Sequence, residues 1–483
     1  MGADNPERSV EEVDVLVIGG GVLGTAVAAR LSRTTASVVL LEAEDDLAEG
    51  ASKGNAGIAT CFYGAPGTLE SRLIAASNPV WEDLCARLDV PYRRMGALMI
   101  AVTAEQEARL EPILEGIRAR GARAELLTGA QARAIEPMIS DRTLGAISLP
   151  DEGLIDPMRL AIGYAELAHR NGARIRRATP ATAVTSEGSA VRTVRTPAHG
   201  LAPRFVVNAA GLDLGRVSAM AGGEALERTP RQGQYWILDR EVGARFNRIV
   251  FPIPLEHTRG VQVVPTTNGS VLLGPSAQDT DRRDDKSTDR ETLEGIVAQI
   301  RALTPGLTLD HAIKSYGAIR PAGTETFLAR FDARILNLIH VGSRSAGVSL
   351  SPALADYVLH LLREAGLDAP DRADAATAVP RLPRLLLDPQ PERLFKLDRR
   401  YAQVVCACEQ VSAAEIAAAL TSGVPARSIE GIRKRTRATG GRCQGSVCLA
   451  GVAFLCSLHT GLPPERIPYG RSRGTLGIGH AGS

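Results

Sequence analysis

Four of the seven cysteines in this chain of 483 residues stand in two close pairs, Cys406-Ala-Cys408 and Cys443-Gln-Gly-Ser-Val-Cys448. Two thiolates separated by one residue, joined across 34 residues to two separated by four, can converge on one metal centre. Structural zinc usually takes C-x-x-C or histidine-containing pairs. A C-x-C pair with the glycine-rich approach Gly440-Gly-Arg-Cys-Gln-Gly445 points to an iron–sulfur cluster, with zinc as the rival metal. At the other end, Gly19-Gly-Gly21-Val22-Leu-Gly24 carries the spacing G-x-G-x-x-G. In such a motif Gly19 allows the tight turn, Gly21 lets a pyrophosphate approach the backbone, and Gly24 lets helix and strand pack closely. The helix N-terminus then faces the phosphates, and Val22 joins the cofactor site. Glu42, 23 residues after Gly19, is placed to accept ribose hydroxyls and would repel a 2′-phosphate. A redox centre at one end and a dinucleotide site at the other suggest an enzyme that passes electrons through itself.

These residues need particular elements around them. Val13–Ile18 reads as a buried strand, Thr25–Leu31 has helical periodicity, and a second strand from Ser37 to Leu41 ends at Glu42. The motif alone does not separate NAD from FAD. No second G-x-G-x-x-G follows, so no separate nicotinamide domain is expected, and Val206-Val-Asn-Ala-Ala-Gly211 reads as another strand whose turn puts Ala209 and Gly211 beside the nucleotide. A further strand, Ile335–Val341, runs into Gly342-Ser-Arg-Ser-Ala-Gly-Val-Ser-Leu-Ser-Pro352 and a helix through Val358. That junction aims the backbone around Gly342, Ser345, Gly347, Val348 and Ser349 at the flavin pyrimidine end, where negative charge builds on reduction. Both observations favour FAD. From Thr229 to Gly274 short apolar runs alternate with turns, which is antiparallel-sheet patterning, and residues 104–120 and 290–303 read as helices.

Composition adds limits. Lys+Arg 56 against Asp+Glu 54 gives a net charge of +2, so no global field favours nucleic acid. The polar N-terminus has no apolar h-region and no long apolar run follows, which predicts a soluble cytoplasmic protein and leaves peripheral membrane contact open. Five prolines between Ala369 and Arg400 mark a linker over 369–400. In the last unit Ser412 caps a short helix to Leu420, and Arg427–Arg442 carries six basic residues and one acidic one. That basic run would raise a cluster's potential or dock an acidic partner.

With these residues in hand, the chain resembles the D-amino-acid-oxidase superfamily of flavoproteins, in particular its glycerol-3-phosphate dehydrogenase-like branch. The stretches that carry the likeness are the N-terminal glycine motif, Ser52-Lys53-Gly-Asn55-Ala-Gly57 with Pro66-Gly-Thr-Leu69, Asp151-Glu-Gly-Leu-Ile-Asp-Pro157, Val264-Pro-Thr266 with Leu273-Gly-Pro275, and Gly317-Ala-Ile-Arg-Pro321. The tail is similar to the bacterioferritin-associated-ferredoxin type of [2Fe-2S] domain, whose four ligand positions are here Cys406, Cys408, Cys443 and Cys448.

The resemblance implies an α/β FAD-binding Rossmann-like domain, three-layer ββα, with an inserted antiparallel-sheet substrate domain and a small helical C-terminal [2Fe-2S] domain. The expected division is an oxidoreductase unit over 1–368 with a substrate part near 80–150 and 225–315, the linker, a cluster domain over 401–460 and a tail over 461–483. Ser52, Lys53, Asn55 and Gly57 would lie at the flavin. Relatives present a histidine in the following loop, where this chain has Thr60-Cys61-Phe62-Tyr63. Another group then takes the proton, or hydride leaves directly to flavin. Arg320 matches the arginine that such enzymes direct at a carboxylate or phosphate, and Arg259 falls where relatives often have lysine. His257 is the nearest replacement base, and Tyr63 and Tyr235 would line the pocket. The expected activity is an FAD-dependent dehydrogenase of a small anionic alcohol, glycerol-3-phosphate-like or a 2-hydroxy acid. Electrons would pass through the cluster to a quinone, a carrier protein or a partner subunit in a hetero-oligomer. The alternatives are an amino-acid or opine-type amine dehydrogenase, and a non-catalytic flavin/iron–sulfur electron-transfer subunit.

Overall fold

The structure, a computed structural model, describes residues 10–254, 259–323 and 327–470. His257 lies outside the described residues.

Val10–Ile18 pairs in parallel with Gly200–Asn208 on one side and Val38–Leu41 on the other, and Leu338–Ser343 and Arg174–Arg176 extend the parallel set outward. Val15 and Val17 enter one core while Leu16 and Ile18 enter a second, so the end of the strand, Val15–Ile18, is buried on both faces and reads as an unbroken apolar run. Helices Val22–Leu31, Pro157–Arg170 and Gly347–Glu364 cover the first face. The other face packs against the antiparallel strands Ala183–Glu187 and Ala190–Arg195, which branch from the first half of Gly200–Asn208. Helix, sheet and sheet are the three layers expected. The first helix begins at Val22, earlier than its periodicity suggested, because Gly21 serves as its N-cap.

A second sheet of nine strands carries its own core. Thr229–Leu238 runs antiparallel to Ala312–Ala322 and to Val271–Gly274, and Ala97–Ala101 pairs in parallel with Ile249–Pro252. The last pairing joins two stretches far apart in the chain. The helix expected over 104–120 is two, Ala104–Glu107 and Leu110–Arg118. The ring of Pro112 would clash with the carbonyl of Ala108 in a continuous helix, so the helix restarts.

The C-terminal unit packs helices Ala413–Thr421, Ile429–Thr436 and Leu449–Thr460 around Ile416, Ile432 and Val452. Ser412 caps the first of them in a capping box with Glu415. The proline-rich connection is laid against the first domain: Thr35 N–H donates to Pro370 O at 3.0 Å and Val379 N–H to Arg87 O at 2.9 Å. It also contains a helix of seven residues, Pro391–Leu397, that its composition did not suggest. No helix among the described residues is long and apolar enough to cross a membrane.

Candidate active site and metal centre

A cavity of about 1400 Å³ runs from Glu42 past the glycine turn and under the second sheet to Arg320. Its mouth is built by the first strand–turn–helix. A Cβ on Gly24 would stand 2.0 Å from Gly19 O, and one on Gly19 would stand 2.4 Å from Ala209 O, so both positions exist for close packing. Gly21 differs. A Cβ there would meet only Ser52 Oγ, at 3.3 Å, so its backbone is open to the cavity, as approach of a pyrophosphate requires. Glu42 Oε2 accepts from Gly20 N–H at 2.7 Å and Oε1 from Glu44 N–H at 2.9 Å. Burial pushes the Glu42 carboxyl up to about 7 against those two amides. Val22, Ser52, Asn55, Ala209 and Gly211 line the same cavity, as do Gly342, Ser345, Gly347, Val348 and Ser349 at the start of the helix Gly347–Glu364.

Two expected residues are placed elsewhere. Lys53 turns away from the cavity and bridges Glu49 at 3.0 Å and Glu430 of the C-terminal unit at 2.7 Å. Gly57 packs against Ile155, where a Cβ would meet the Ile155 carbonyl at 2.3 Å. Ser349 touches the cavity, but its hydroxyl is engaged by Thr60 N–H at 2.9 Å, so it fixes the loop that carries Thr60.

At the far end the cavity is cationic. Arg320, on Ala312–Ala322, lines it with Nε buried and without a hydrogen-bond partner among the described residues. Burial pulls its pKa down, which marks a cation short of a counter-charge. Arg259 lies 4.5 Å from the Phe62 ring centroid and 5.1 Å from that of Tyr63. It donates to Phe62 O at 2.6 Å and to Thr60 Oγ1 at 3.2 Å. Tyr63 accepts from Arg344 at 3.1 Å. Burial raises its pKa, but the Ser345 hydrogen bond and the Arg344 charge outweigh that and hold the phenol below its usual range. Tyr235 is buried and stacks on Tyr316 with centroids 4.8 Å apart.

The four C-terminal cysteines converge as two contacts, Cys408 with Cys443 and Cys406 with Cys448. Among the described residues, the trio of candidate ligand atoms within 4.8 Å of one another is Glu224, Asp332 and His340, not any three of these sulfurs. Two separated pairs suit two irons better than the single tetrahedron of zinc. Backbone N–H groups of Val447 and Gly445 point at Cys443 and bring its thiol down to about 7, the thiolate character a ligand needs.

The basic run after Arg427 divides: Arg437 pairs with Glu409, next to Cys408, at 3.5 Å, and Arg442 precedes Cys443, while Lys434 and Arg435 turn to the first domain. Arg435 is buried and clasps Asp46 of the first domain at 2.8 and 3.1 Å, and Lys434, also buried, pairs with Glu49 and donates to Leu47 O at 2.7 Å. Arg177 adds a third cation to Asp46 at 3.1 Å. Burial pushes the Asp46 carboxyl up, but Arg435, Lys434 and Arg177 outweigh it and hold it well below the usual range. On the cysteine side, Arg442 bridges Asp239 at 2.9 Å and Arg240 donates to Cys408 O. For Lys434, Arg435 and Arg442 the acidic partner is this chain's own first domain.

Residues 14–361 match the family model described as FAD dependent oxidoreductase. The chain belongs to this family. In this FAD-dependent oxidoreductase residues 404–455 match a BFD-like [2Fe-2S] binding domain, so the cofactors are FAD and a [2Fe-2S] cluster. The chain is 32% identical over 462 residues to the glycerol 3-phosphate dehydrogenase of Caloramator mitchellensis, covering 94% of this chain and 96% of that one. It is 27% identical to the anaerobic glycerol-3-phosphate dehydrogenase subunit A1 of Haloferax volcanii, over 90% of this chain and 81% of that one. Among solved structures, reduced L-alpha-glycerophosphate oxidase of Mycoplasma pneumoniae with FAD bound superposes with a TM-score of 0.72 at 23% identity, covering 77% of this chain and all of that one, which establishes the fold.

The sequence pattern singled out neither Asp46 nor Glu152, a buried carboxylate behind Thr60. Asp46 stands in the acidic cluster Glu42–Glu49 and Glu152 in Asp151–Pro157, but nothing in either run shows which member turns inward.

Proposed function

We propose that this oxidoreductase dehydrogenates a small anionic secondary alcohol, glycerol 3-phosphate first, and passes the electrons through its cluster to a quinone, a carrier protein or a partner subunit. Gly19, Gly21, Val22, Glu42, Ser52, Asn55, Ala209 and Gly211 hold the ADP half of FAD, and the backbone from Gly342 to Val348 holds the ring. Cys406, Cys408, Cys443 and Cys448 hold the cluster. Bound FAD supplies a two-electron acceptor, and the cluster a one-electron carrier.

The observation that supports the substrate class is Arg320, which lines the cavity while its Nε is buried and has no hydrogen-bond partner among the described residues. An anion in the cavity would supply the counter-charge this guanidinium is short of and gain a bidentate clasp. Arg259, stacked on Phe62 and Tyr63, provides a second positive edge. The relationship to glycerol-3-phosphate dehydrogenases favours a phosphate; a 2-hydroxy acid's carboxylate fits the same fork.

The test is anaerobic bleaching of the flavin by a panel of glycerol 3-phosphate, 2-hydroxyglutarate, amino acids and uncharged glycerol, followed at wavelengths where the cluster also reports. One anionic alcohol is expected to bleach the flavin and then reduce the cluster. Equal bleaching by glycerol, or bleaching by no member, would end the proposal.

A further inference from the structure

Oxidising a CH–OH group releases a hydride and a proton, and a threonine hydroxyl does not keep a proton-accepting charge near neutrality. Thr60 lines the cavity, and behind it stands Glu152 with no exposed surface. Glu152 Oε1 accepts from Thr60 Oγ1 at 2.7 Å and lies 3.6 Å from Cys61 Sγ. Oε2 is buried and has no hydrogen-bond partner among the described residues. A buried carboxyl with one oxygen unmatched is costly to fold around, so a purely structural part would favour an amide or an apolar side chain here. The nearby cation, Arg259, gives its hydrogen bonds to Thr60 Oγ1 and Phe62 O and acts on Glu152 through charge alone.

We propose that Glu152 receives the substrate's hydroxyl proton through Thr60. This inference rests on the alcohol-oxidising function proposed above. The substrate hydroxyl takes the place of one of the two Arg259 N–H donors on Thr60 Oγ1; its O–H bond breaks and its proton goes to Thr60 Oγ1, while the proton of Thr60 passes to Glu152 Oε1. The substrate C–H bond breaks, and the hydride with its electron pair goes to the flavin. The substrate becomes a carbonyl compound, Thr60 ends neutral, and Glu152 ends as a carboxylic acid. Arg259, on Thr60 Oγ1, stabilises negative charge there during the exchange.

The surroundings tune this acceptor. Burial raises the Glu152 pKa, and the Arg259 charge, the Thr60 hydrogen bond and the Cys61 N–H and thiol oppose that rise. Tyr92 faces it from Tyr92–Arg94, and neighbouring Asp151 is neutralised by Arg94 at 3.1 Å and Arg123 at 2.7 Å. The base form is therefore lost at a pH above that of an ordinary glutamate, so flavin reduction should slow as pH falls through that raised value. In this mechanism Glu152 is a positioning and proton-holding residue, and Thr60 is the group that touches substrate.

The holoenzyme variants Glu152→Gln, Glu152→Asp, Thr60→Val and Thr60→Ser, matched for flavin content, test this. In rapid anaerobic mixing with the bleaching substrate, Glu152→Gln should slow flavin reduction roughly 100-fold or more while the substrate dissociation constant stays within about three-fold. It should also lose the acid limb of the pH profile. Thr60→Val should behave alike, and Thr60→Ser and Glu152→Asp should recover part of the rate. Independently of activity, infrared difference spectra of the substrate-free holoenzyme between acid and alkaline pH should show, beside the band of buried Glu42, a second protonated buried carboxyl component that Glu152→Gln lacks. A Glu152→Gln enzyme with wild-type rate and acid limb, or carboxyl difference spectra identical in both proteins, would overturn the inference. If no alcohol bleaches the wild type, the functional proposal fails instead, and the infrared titration still decides whether Glu152 titrates.

Discussion

Replacing Asp46 by Asn removes one charge from a site that holds three cations. Asp46 has no exposed surface, Arg435 clasps both its oxygens, Arg177 lies at 3.1 Å, and Lys434 is 3.5 Å away. After the change Glu49 remains for Lys434, but the Arg435 fork loses its anion. Exposed ion pairs contribute about 0–1 kcal/mol, whereas breaking a buried one costs about 3–5 kcal/mol because the surviving charge stays desolvated. At about 1.4 kcal/mol per factor of ten, docking of the C-terminal unit should weaken roughly 150- to 4000-fold. Hydrogen exchange of the amides in Ile429–Thr436 reads this directly, and limited proteolysis between residues 380 and 390 reads it through the connection. Cluster reduction by the reduced flavin should slow, while flavin bleaching by substrate should not. The pH dependence has a definite sign. A carboxyl held below its unfolded value stabilises fully above that value and stops doing so as pH falls through the folded one, so docking should be flat from pH 5 to 8 and fail only in acid. Exchange rates changed less than about five-fold, equivalent to about 1 kcal/mol, would refute the argument.

Other outcomes follow from the same geometry. Arg320→Ala should weaken binding of the anionic substrate by about 2–4 kcal/mol, roughly 30- to 1000-fold in KM, with flavin content unchanged. Cys408→Ser should abolish the cluster's visible and paramagnetic signals yet leave anaerobic flavin bleaching intact. Glu42→Gln separates two effects. Because burial lifts this carboxyl to about 7, the flavin-free protein loses stability as pH rises from about 4.5 to 7, a slope the variant should lack, while its amide NH2, set against one of the two backbone N–H groups that Glu42 accepts from, lowers stability at every pH and weakens FAD binding. Thermal melts of both proteins across that pH range, with and without FAD, check it.

Much of the site was legible because it is local. Val13–Ile18, the turn Gly19–Gly24 and Glu42 form one strand–turn–helix–strand unit whose glycines have purely steric work, and such work shows as residue type at fixed spacing. The cysteine pairs are local in the same sense. Lys53 shows the limit: its motif suggested a place at the flavin, but its ammonium is drawn to Glu430, 377 residues away. The basic run after Arg427 looked like an environment for the cluster or a surface for another protein, and its charge said nothing of where the counter-charge lay.

The chain's own pattern thus carried the glycine turn, the paired cysteines and the two sheet types, each written in neighbouring residues as periodicity, small size or close spacing, whereas Arg320 stood out only through the family resemblance. Only tertiary structure decided that Asp46 meets Arg435 across 389 positions and that Thr60 meets Glu152 across 92. Burial and charge pairing are properties of what folds alongside, and a carboxylate's meaning changes once water is removed from it and a cation or a hydroxyl is put in its place.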